Sequence, residues 1–384
     1  MLSKSEESFA VILPTISYLT DIYFGAGQLQ VLPELLQRSD VRRPLVVTDR
    51  GLQNLGFVDR LGIPDAAVFC DVNTNPTEAN VLAGLQVFRE QECDAIVALG
   101  GGSPMDCAKC ISLLSTHPEP LEQYALIRGG VARISANKPP VVAVATTAGT
   151  GSEVGRAALV TTGSGEKLGV ISKFMIPSAA ICDPELTKEM PAQLTASTGM
   201  DAISHCIETF CSPKYNPVAD AIALDGLRRG WQNLKLVVEQ PDNITMRNEM
   251  MMASLQGALS FQKGLGLIHS LSHPLGALKD KQLHHGTLNS VFLPHVLRFN
   301  ATACPDKMEN MAQAMGIGGG ADALADAFER FSADLGLPQS LGAMGVVEQD
   351  LAGIPAAAVA DHSTPSNPRP ITMEDCLAIL TEAL

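Results

Sequence analysis

The first half of the chain alternates short apolar runs with stretches in which apolar residues recur every three or four positions. PLVVTD (44–49), AAVFCDV (66–72), DAIVALGGG (94–102) and PPVVAVATTAGTG (139–151) read as buried strands bounded by turn residues. NPTEANVLAGLQVFREQE (75–92), between two of them, has helical spacing. Strands alternating with helices of this length predict β-α-β units and a parallel sheet. In such sheets ligands sit outside the carboxyl ends of the strands. The pattern changes near DPELTKEMP (183–191), beyond which strand signals are scarce. LTASTGMDAISHCIETFCS, PVADAIALDGLRRGWQNLKLVVEQ and MRNEMMMASLQGALSFQKG read as successive helices. The expected architecture is an α/β N-terminal dinucleotide-binding domain with a parallel sheet over 1–187, and an all-α C-terminal metal-binding domain over 188–384. GIGGG (316–320) follows a helix rather than a strand, so it reads as a plain loop.

A length of 384 residues agrees with two domains, because single cores stop growing at roughly 300 residues. The formal net charge of −14 argues against nucleic acid or an anionic membrane as partner, since both attract basic surfaces. The opening segment MLSKSEESFAVILP has acidic residues where a secretory signal needs positive charge. No apolar run approaches the roughly 18 residues that span a bilayer. The nine cysteines are odd in number and widely scattered, which suits a reducing cytosol better than a disulfide framework. Cys107 and Cys110 form an isolated C-x-x-C at helical spacing and read as core neighbours.

Two regions carry candidate chemistry. The G-x-G-x-x-G pattern is missing: Gly25 and Gly27 in YFGAGQLQ lack the third glycine and a preceding hydrophobic strand. Gly100, Gly101 and Gly102 instead follow DAIVAL directly, and three glycines let a backbone approach an anion closely. Ser103 is expected to cap the next helix, with Pro104 first and Asp106 third inside it, the S-x-x-D pattern of a phosphate-binding helix N-terminus. Thr146, Thr147 and Thr150 at the end of a later strand offer hydroxyls on the same sheet edge. Asp49, ending PLVVTD, can accept from ribose hydroxyls and would repel a 2′-phosphate, favouring NAD over NADP.

The chain has eight histidines, five of them between 269 and 295. Asp201 and His205 are spaced i, i+4, as are His269 and His273, so each pair shares a helix face; His285 follows in a turn. Asp201, His205, His269 and His285 therefore form a candidate ligand set for one divalent metal. Three imidazoles and a carboxylate suit Fe(II), Zn(II) or Mn(II). Four protein ligands close a tetrahedral zinc site, which favours iron for chemistry that needs an open position.

These segments resemble the iron-dependent (group III) alcohol dehydrogenase family. ALGGGSPMDCAK, TTAGTGSEV, DPELT, GMDAISHCIE, HSLSHPLGA…HHG and NPRPIT (367–372) match it in order, nearly the length of the chain. The resemblance implies a nucleotide domain, a helical domain, and an active site in the cleft between them. It implies that Asp201, His205, His269 and His285 bind the metal, and that His273 contacts the nicotinamide and helps move the proton. His284 sits beside His285, and His285, before the glycine, fits the fourth ligand better. Gly101, Gly102 and Ser103 match the pyrophosphate loop, and Thr146, Thr147 and Thr150 the second cofactor loop. Asp49 matches the NAD-selecting acid, and Asn75 and Lys167 match further cofactor contacts. The expected reaction is NAD-dependent interconversion of a primary alcohol and its aldehyde, with the partners being that small molecule and further copies of the chain. A cyclase or lyase of the dehydroquinate synthase kind is the alternative. It would need a basic pocket for a phosphorylated substrate, and only Lys263, Lys279 and Lys281 lie near the histidines. Lys263 in SFQKGLG is expected to face solvent; were it to face the pocket, it would favour an anionic substrate.

Overall fold

Every residue of the four central strands is buried on both faces, which is why their sequences are unbroken apolar runs. The computed structural model describes residues 16, 18, 20–278 and 280–384; the opening segment weighed as a secretory signal, and Lys279, lie outside these described residues. The strands are β1 (Asp21–Phe24), β2 (Pro44–Val47), β3 (Ala67–Phe69), β4 (Ala95–Gly100), β5 (Val141–Ala145), a hairpin of β6 (Ala157–Thr161) and β7 (Lys167–Ile171), and β8 (Ala179–Cys182). Apart from the hairpin they form one sheet in the order β1-β8-β5-β4-β2-β3, with every neighbouring pair parallel. Alternate side chains serve two cores. Val46, Val97, Leu99, Val142, Val144 and Ile181 pack with Leu32, Leu36, Phe57 and Leu61 on one face. Leu45, Val47, Ile96, Ala98 and Ala143 face a core that continues into the second half of the chain.

The helices of this first half are α1 (Leu32–Arg38), α2 (Arg50–Asn54), α3 (Phe57–Arg60), α4 (Glu78–Glu90) and α5 (Gly102–Leu114). From β2 the chain steps outward to β3, then returns so that β4 pairs on the opposite side of β2. The strand order therefore reverses between β2 and β4, and a crevice opens at their carboxyl ends. One expectation needs correcting: a strand does precede Gly25. DIYF forms β1 at the sheet edge, where it is only partly buried, so it lacks the apolar run that marks the central strands.

Beyond Cys182 the described residues contain no strand. The helices are α6 (Ala192–Cys211), α7 (Pro217–Glu239), α8 (Ile244–Leu259), α9 (Leu267–Gly276), α10 (His285–Asn300), α11 (Pro305–Met315), α12 (Ala321–Asp334), α13 (Ile354–Ala360) and α14 (Met373–Glu382). Helix α6 is buried from Thr195 to Cys211, packed among α7, α8 and α10. SFQKG does not continue α8: a 3-10 turn at Ser260–Lys263 ends at Gly264, whose φ is +81°. GIGGG is the loop between α11 and α12. No helix among the described residues is long and apolar enough to cross a membrane.

The loop after β5 joins the two halves through glycines. A Cβ on Gly149 would lie 2.8 Å from the Thr198 carbonyl oxygen on α6. A Cβ on Gly151 would lie 2.1 Å from Ala258 Cβ on α8, and Gly151 has a φ of +64°. Gly151→Ala therefore meets both a steric clash and a disfavoured backbone. We expect it to lower stability by about 2 kcal/mol or more, read as a lower midpoint in thermal or urea unfolding.

Candidate active site

Asp201, His205 and Glu208 lie at i, i+4 and i+7 on α6, and all three are buried. Polar groups on one face of a helix buried all round need partners there. Helix α9 supplies them from across the gap, with His269 and His273 one turn apart. His285 is the first residue of α10 rather than part of a turn. Gly286 allows this, because a Cβ there would lie 2.1 Å from the Ser197 carbonyl oxygen of α6. The Nε2 atoms of His205, His269 and His285 lie 3.4, 3.6 and 3.7 Å from Asp201 Oδ1. One ligand atom each from Asp201, His205 and His269 falls within 4.8 Å of the others. His284 is the N-cap of α10 and borders the same cavity, while its neighbour His285 makes the close approach to Asp201.

Three supporting residues were not singled out from the sequence, although Glu208 closes the GMDAISHCIE segment. Glu208 accepts hydrogen bonds from His269 Nδ1 at 2.6 Å and from the Ile268 N–H at 2.6 Å. It thereby fixes which imidazole nitrogen faces Asp201. Asp361 accepts from His273 Nδ1 at 2.9 Å and from the Ser363 N–H at 2.8 Å. Asn289, one turn along α10 from His285, sits at the hub: its Nδ2 is 2.7 Å from Asp201 Oδ1, 3.1 Å from His269 Nε2 and 3.2 Å from His285 Nε2. For Glu208 the available signal was its i+7 spacing from Asp201; Asp361 and Asn289 depend on tertiary contacts.

The donor set fits a divalent cation. Two amide hydrogens cannot satisfy three acceptors, so lone pairs outnumber protein donors at the hub. The Asp201 and Glu208 carboxylates attract positive charge to this point, whether carried by a proton or by a metal. Burial opposes ionisation of Asp201, yet the imidazoles of His205, His269 and His285 hold its carboxyl well below the usual carboxylate range. Burial disfavours a charged His269, but the Glu208 and Asp201 carboxylates overcome it and raise the imidazole to about 9. Burial lowers His205 to about 4, although Asp201 partly opposes this. The pocket thus draws positive charge to one point. A second group, His273, Asp361 and His362, also clusters within 4.8 Å, but both Asp361 oxygens already accept hydrogen bonds.

The hub opens into a cavity of about 760 Å³ that runs to the carboxyl ends of the sheet. Asp49, Asn75, Gly101, Gly102, Ser103, Thr147, Thr150 and Lys167 all border it. Thr146 does not reach the wall; it is buried behind, with its N–H bonded to the Gly100 carbonyl. Cβ atoms on Gly101 and Gly102 would lie 3.0 Å from Thr147 Oγ1 and 3.1 Å from Thr150 Cγ2, so the two loops interlock. Asp49 caps α2, accepting from the Leu52 N–H at 2.9 Å. Lys167 Nζ donates to Asn75 Oδ1 at 3.1 Å.

The expected Ser103 cap is not formed. Helix α5 begins at Gly102 with Gly101 as N-cap; the Ser103 hydroxyl donates to the Thr74 carbonyl. Asp106 turns inward and accepts from Ser152 Oγ at 2.7 Å and the Leu159 N–H at 3.0 Å. Leaving the amides at the start of α5 free of a side-chain cap keeps them available to an anion. Lys263 also departs from expectation, facing neither solvent nor cavity. It is fully buried, its ammonium bonded to Asp220 and, at 3.1 Å, to the Phe210 carbonyl.

Residues 20–184 match the family described as iron-containing alcohol dehydrogenase, and residues 195–384 match the C-terminal domain of the Fe-containing alcohol dehydrogenase family. The chain is 46% identical to 4-hydroxybutyrate dehydrogenase of Cupriavidus necator, covering 96% of this chain and 99% of that one. It is 38% identical to 1,3-propanediol dehydrogenase of Klebsiella pneumoniae, covering 99% and 100%. A solved 1,3-propanediol oxidoreductase superposes with a TM-score of 0.90 at 38% identity, over 96% of this chain and 100% of that one. Sulfoacetaldehyde reductase from Bifidobacterium kashiwanohense, solved with NAD+, gives 0.87 at 28% identity, over 97% and 99%. A metal-dependent oxidoreductase is what such a fold and such a buried donor set define. The chain belongs to the iron-containing alcohol dehydrogenase family.

Replacing Glu208 with Gln keeps the size of the side chain but removes the charge behind His269. We expect metal affinity to fall about 10- to 100-fold, measured by competition with a chelator of known affinity.

Proposed function

We propose that the enzyme interconverts a primary alcohol and its aldehyde with NAD, using a divalent metal held by Asp201, His205, His269 and His285. One observation carries the reading: three imidazole nitrogens converge on one buried carboxylate at the inner end of the cavity that the glycine and threonine loops enclose. A metal bound there supplies a Lewis acid that lowers the pKa of the substrate hydroxyl. Iron is the assigned ion, and zinc satisfies the same donors.

The chain's own residues bind and orient. Gly101, Gly102 and Ser103 at the start of α5, with Thr147 and Thr150 opposite, are assigned to the pyrophosphate. Thr146 supports that loop from behind. Asp49, at the switch point, would accept from ribose hydroxyls and repel a 2′-phosphate. Asn75 and Lys167 are assigned to the ribose and nicotinamide side. His273 is assigned as the proton relay: Asp361 engages Nδ1, which leaves Nε2 to exchange a proton. Bound NAD would supply a two-electron hydride acceptor, and His273 would take the hydroxyl proton.

We place the domain boundary at 187/188, in the turn between β8 and α6. A homodimer or larger assembly follows the family resemblance, and a cytoplasmic location suits nine free cysteines. The cyclase alternative loses support because Lys281 is paired with Asp350 at 2.8 Å and Lys263 with Asp220, away from any phosphate. The similar enzymes named for 4-hydroxybutyrate and for 1,3-propanediol leave a charged or a neutral substrate to be decided by the outer wall of the cavity.

His269→Ala should abolish both bound metal, by elemental analysis, and alcohol-dependent formation of NADH, by absorbance. Full turnover in this variant would sink the ligand assignment.

A further inference from the structure

Two arginines and two lysines border the cavity among the described residues: Arg50, Arg156, Lys167 and Lys214. Arg50 pairs with Asp71 at 2.6 Å, at the adenosine end, and Lys167 bonds Asn75. Arg156 and Lys214 have no acidic partner. The surrounding wall lowers the pKa of Arg156; burial likewise lowers Lys214, and Arg156 itself lowers it further. Two like charges thus share one wall without a counter-ion, in a chain carrying 41 acidic residues.

Both side chains are exposed, and the backbone that carries each is braced. Lys109, fully buried, donates to the Gly155 carbonyl at 3.0 Å and the Ala157 carbonyl at 2.9 Å, gripping the backbone on either side of Arg156. Lys214 follows α6 on a turn braced from below: Ser212 Oγ donates to the Lys263 carbonyl at 2.7 Å, and Lys263 Nζ bonds the Phe210 carbonyl at 3.1 Å. Lys214 Nζ lies 3.4 Å from where a Gly264 Cβ would be, beside Ser366. Phe261 connects this wall to the metal donors. Its ring meets His205 edge-on with centroids 4.8 Å apart, and lies 3.7 Å from a Cβ position on Gly155. A single aromatic ring therefore separates the His205 imidazole from the backbone next to Arg156.

We propose that Arg156 and Lys214 receive a carboxylate, so that the substrate is a short ω-hydroxy acid, oxidised by NAD to its semialdehyde. This rests on the alcohol dehydrogenase reading and names the substrate class of that site. The hydroxyl lies at the Asp201 end, the chain runs past Phe261, and the carboxylate meets two otherwise unpaired cations. Arg156 and Lys214 act on specificity, through the end of the substrate that does not react.

The test uses metal-loaded enzyme with NAD, comparing 4-hydroxybutyrate with 1,4-butanediol. The wild type should prefer the acid. Arg156→Gln and Lys214→Gln should each lower the acid-to-diol ratio of kcat/KM on the order of 10- to 100-fold, mainly through KM, the range for a lost hydrogen bond to a charge. Arg156→Lys should keep most of the preference. If the Gln variants do not fold, the wild type still decides: butanoate should inhibit diol oxidation competitively, and butanamide should not. A ratio unmoved in the Gln variants, or equal inhibition by the acid and the amide, overturns the proposal while leaving the alcohol dehydrogenase intact. Absence of turnover on acid and diol alike, with metal and NAD bound, overturns both.

Discussion

A carboxylate buried without compensation is among the costliest features a protein can hold, and Asp201 is that carboxylate here. Much of the helical half is arranged to satisfy it. Three imidazoles face it from α6, α9 and α10, Asn289 donates to it, and Glu208 on the same helix face holds His269 in register. Each contact pins one helix to another. The polar hub therefore specifies how the helices meet, while the apolar side chains around it supply the bulk of the stabilisation. A cation at this point suits the field that the protein has already built.

The sheet places the other end of the same cavity by topology rather than by charge. Because the strand order reverses between β2 and β4, the loops after those strands splay apart, and the loop after β5 closes against them. Close backbone approach keeps the halves in contact: Gly149 and Gly151 let the β5 loop touch α6 and α8, and Gly286 lets α10 touch α6. Glycine costs conformational entropy on folding, but at these positions any side chain would push the β5 loop or α10 away from the helices it touches. The buried Lys109–Asp106–Ser152 network stiffens the loop further, holding the backbone next to Arg156.

Electrostatics divide the cavity wall into regions with different tasks. The Asp201 and Glu208 carboxylates make the inner end attractive to a cation. The uncapped N-terminus of α5 makes the middle attractive to an anion. At the rim two cations stand without partners in an otherwise acidic chain. Lys263 shows how a single residue can be misjudged from spacing. It comes close to the histidines in sequence, yet its ammonium is spent on Asp220 and Phe210, where it steadies the turn that carries Lys214.

Features that depend on local pattern were legible in the chain before it folded. Apolar runs identified β2 to β5, helical spacing identified α6 to α8, and the i, i+4 pairs placed Asp201 with His205 and His269 with His273, because periodicity alone settles which face a side chain occupies. The edge strand β1 escaped notice because half-buried strands need no long apolar run. The Ser103 cap was misread because Thr74 and Ser152, distant in sequence, compete for the hydroxyl and for Asp106. Packing had to supply the rest: that Asn289 and Asp361 support the histidines, that Thr146 sits behind its loop, and that Arg156 and Lys214 share a wall; it also brings His285, favoured over His284 from the sequence, close to Asp201. These are meetings between residues tens of positions apart, and no local spacing encodes them; they exist once packing has brought α6, α9, α10 and the sheet together.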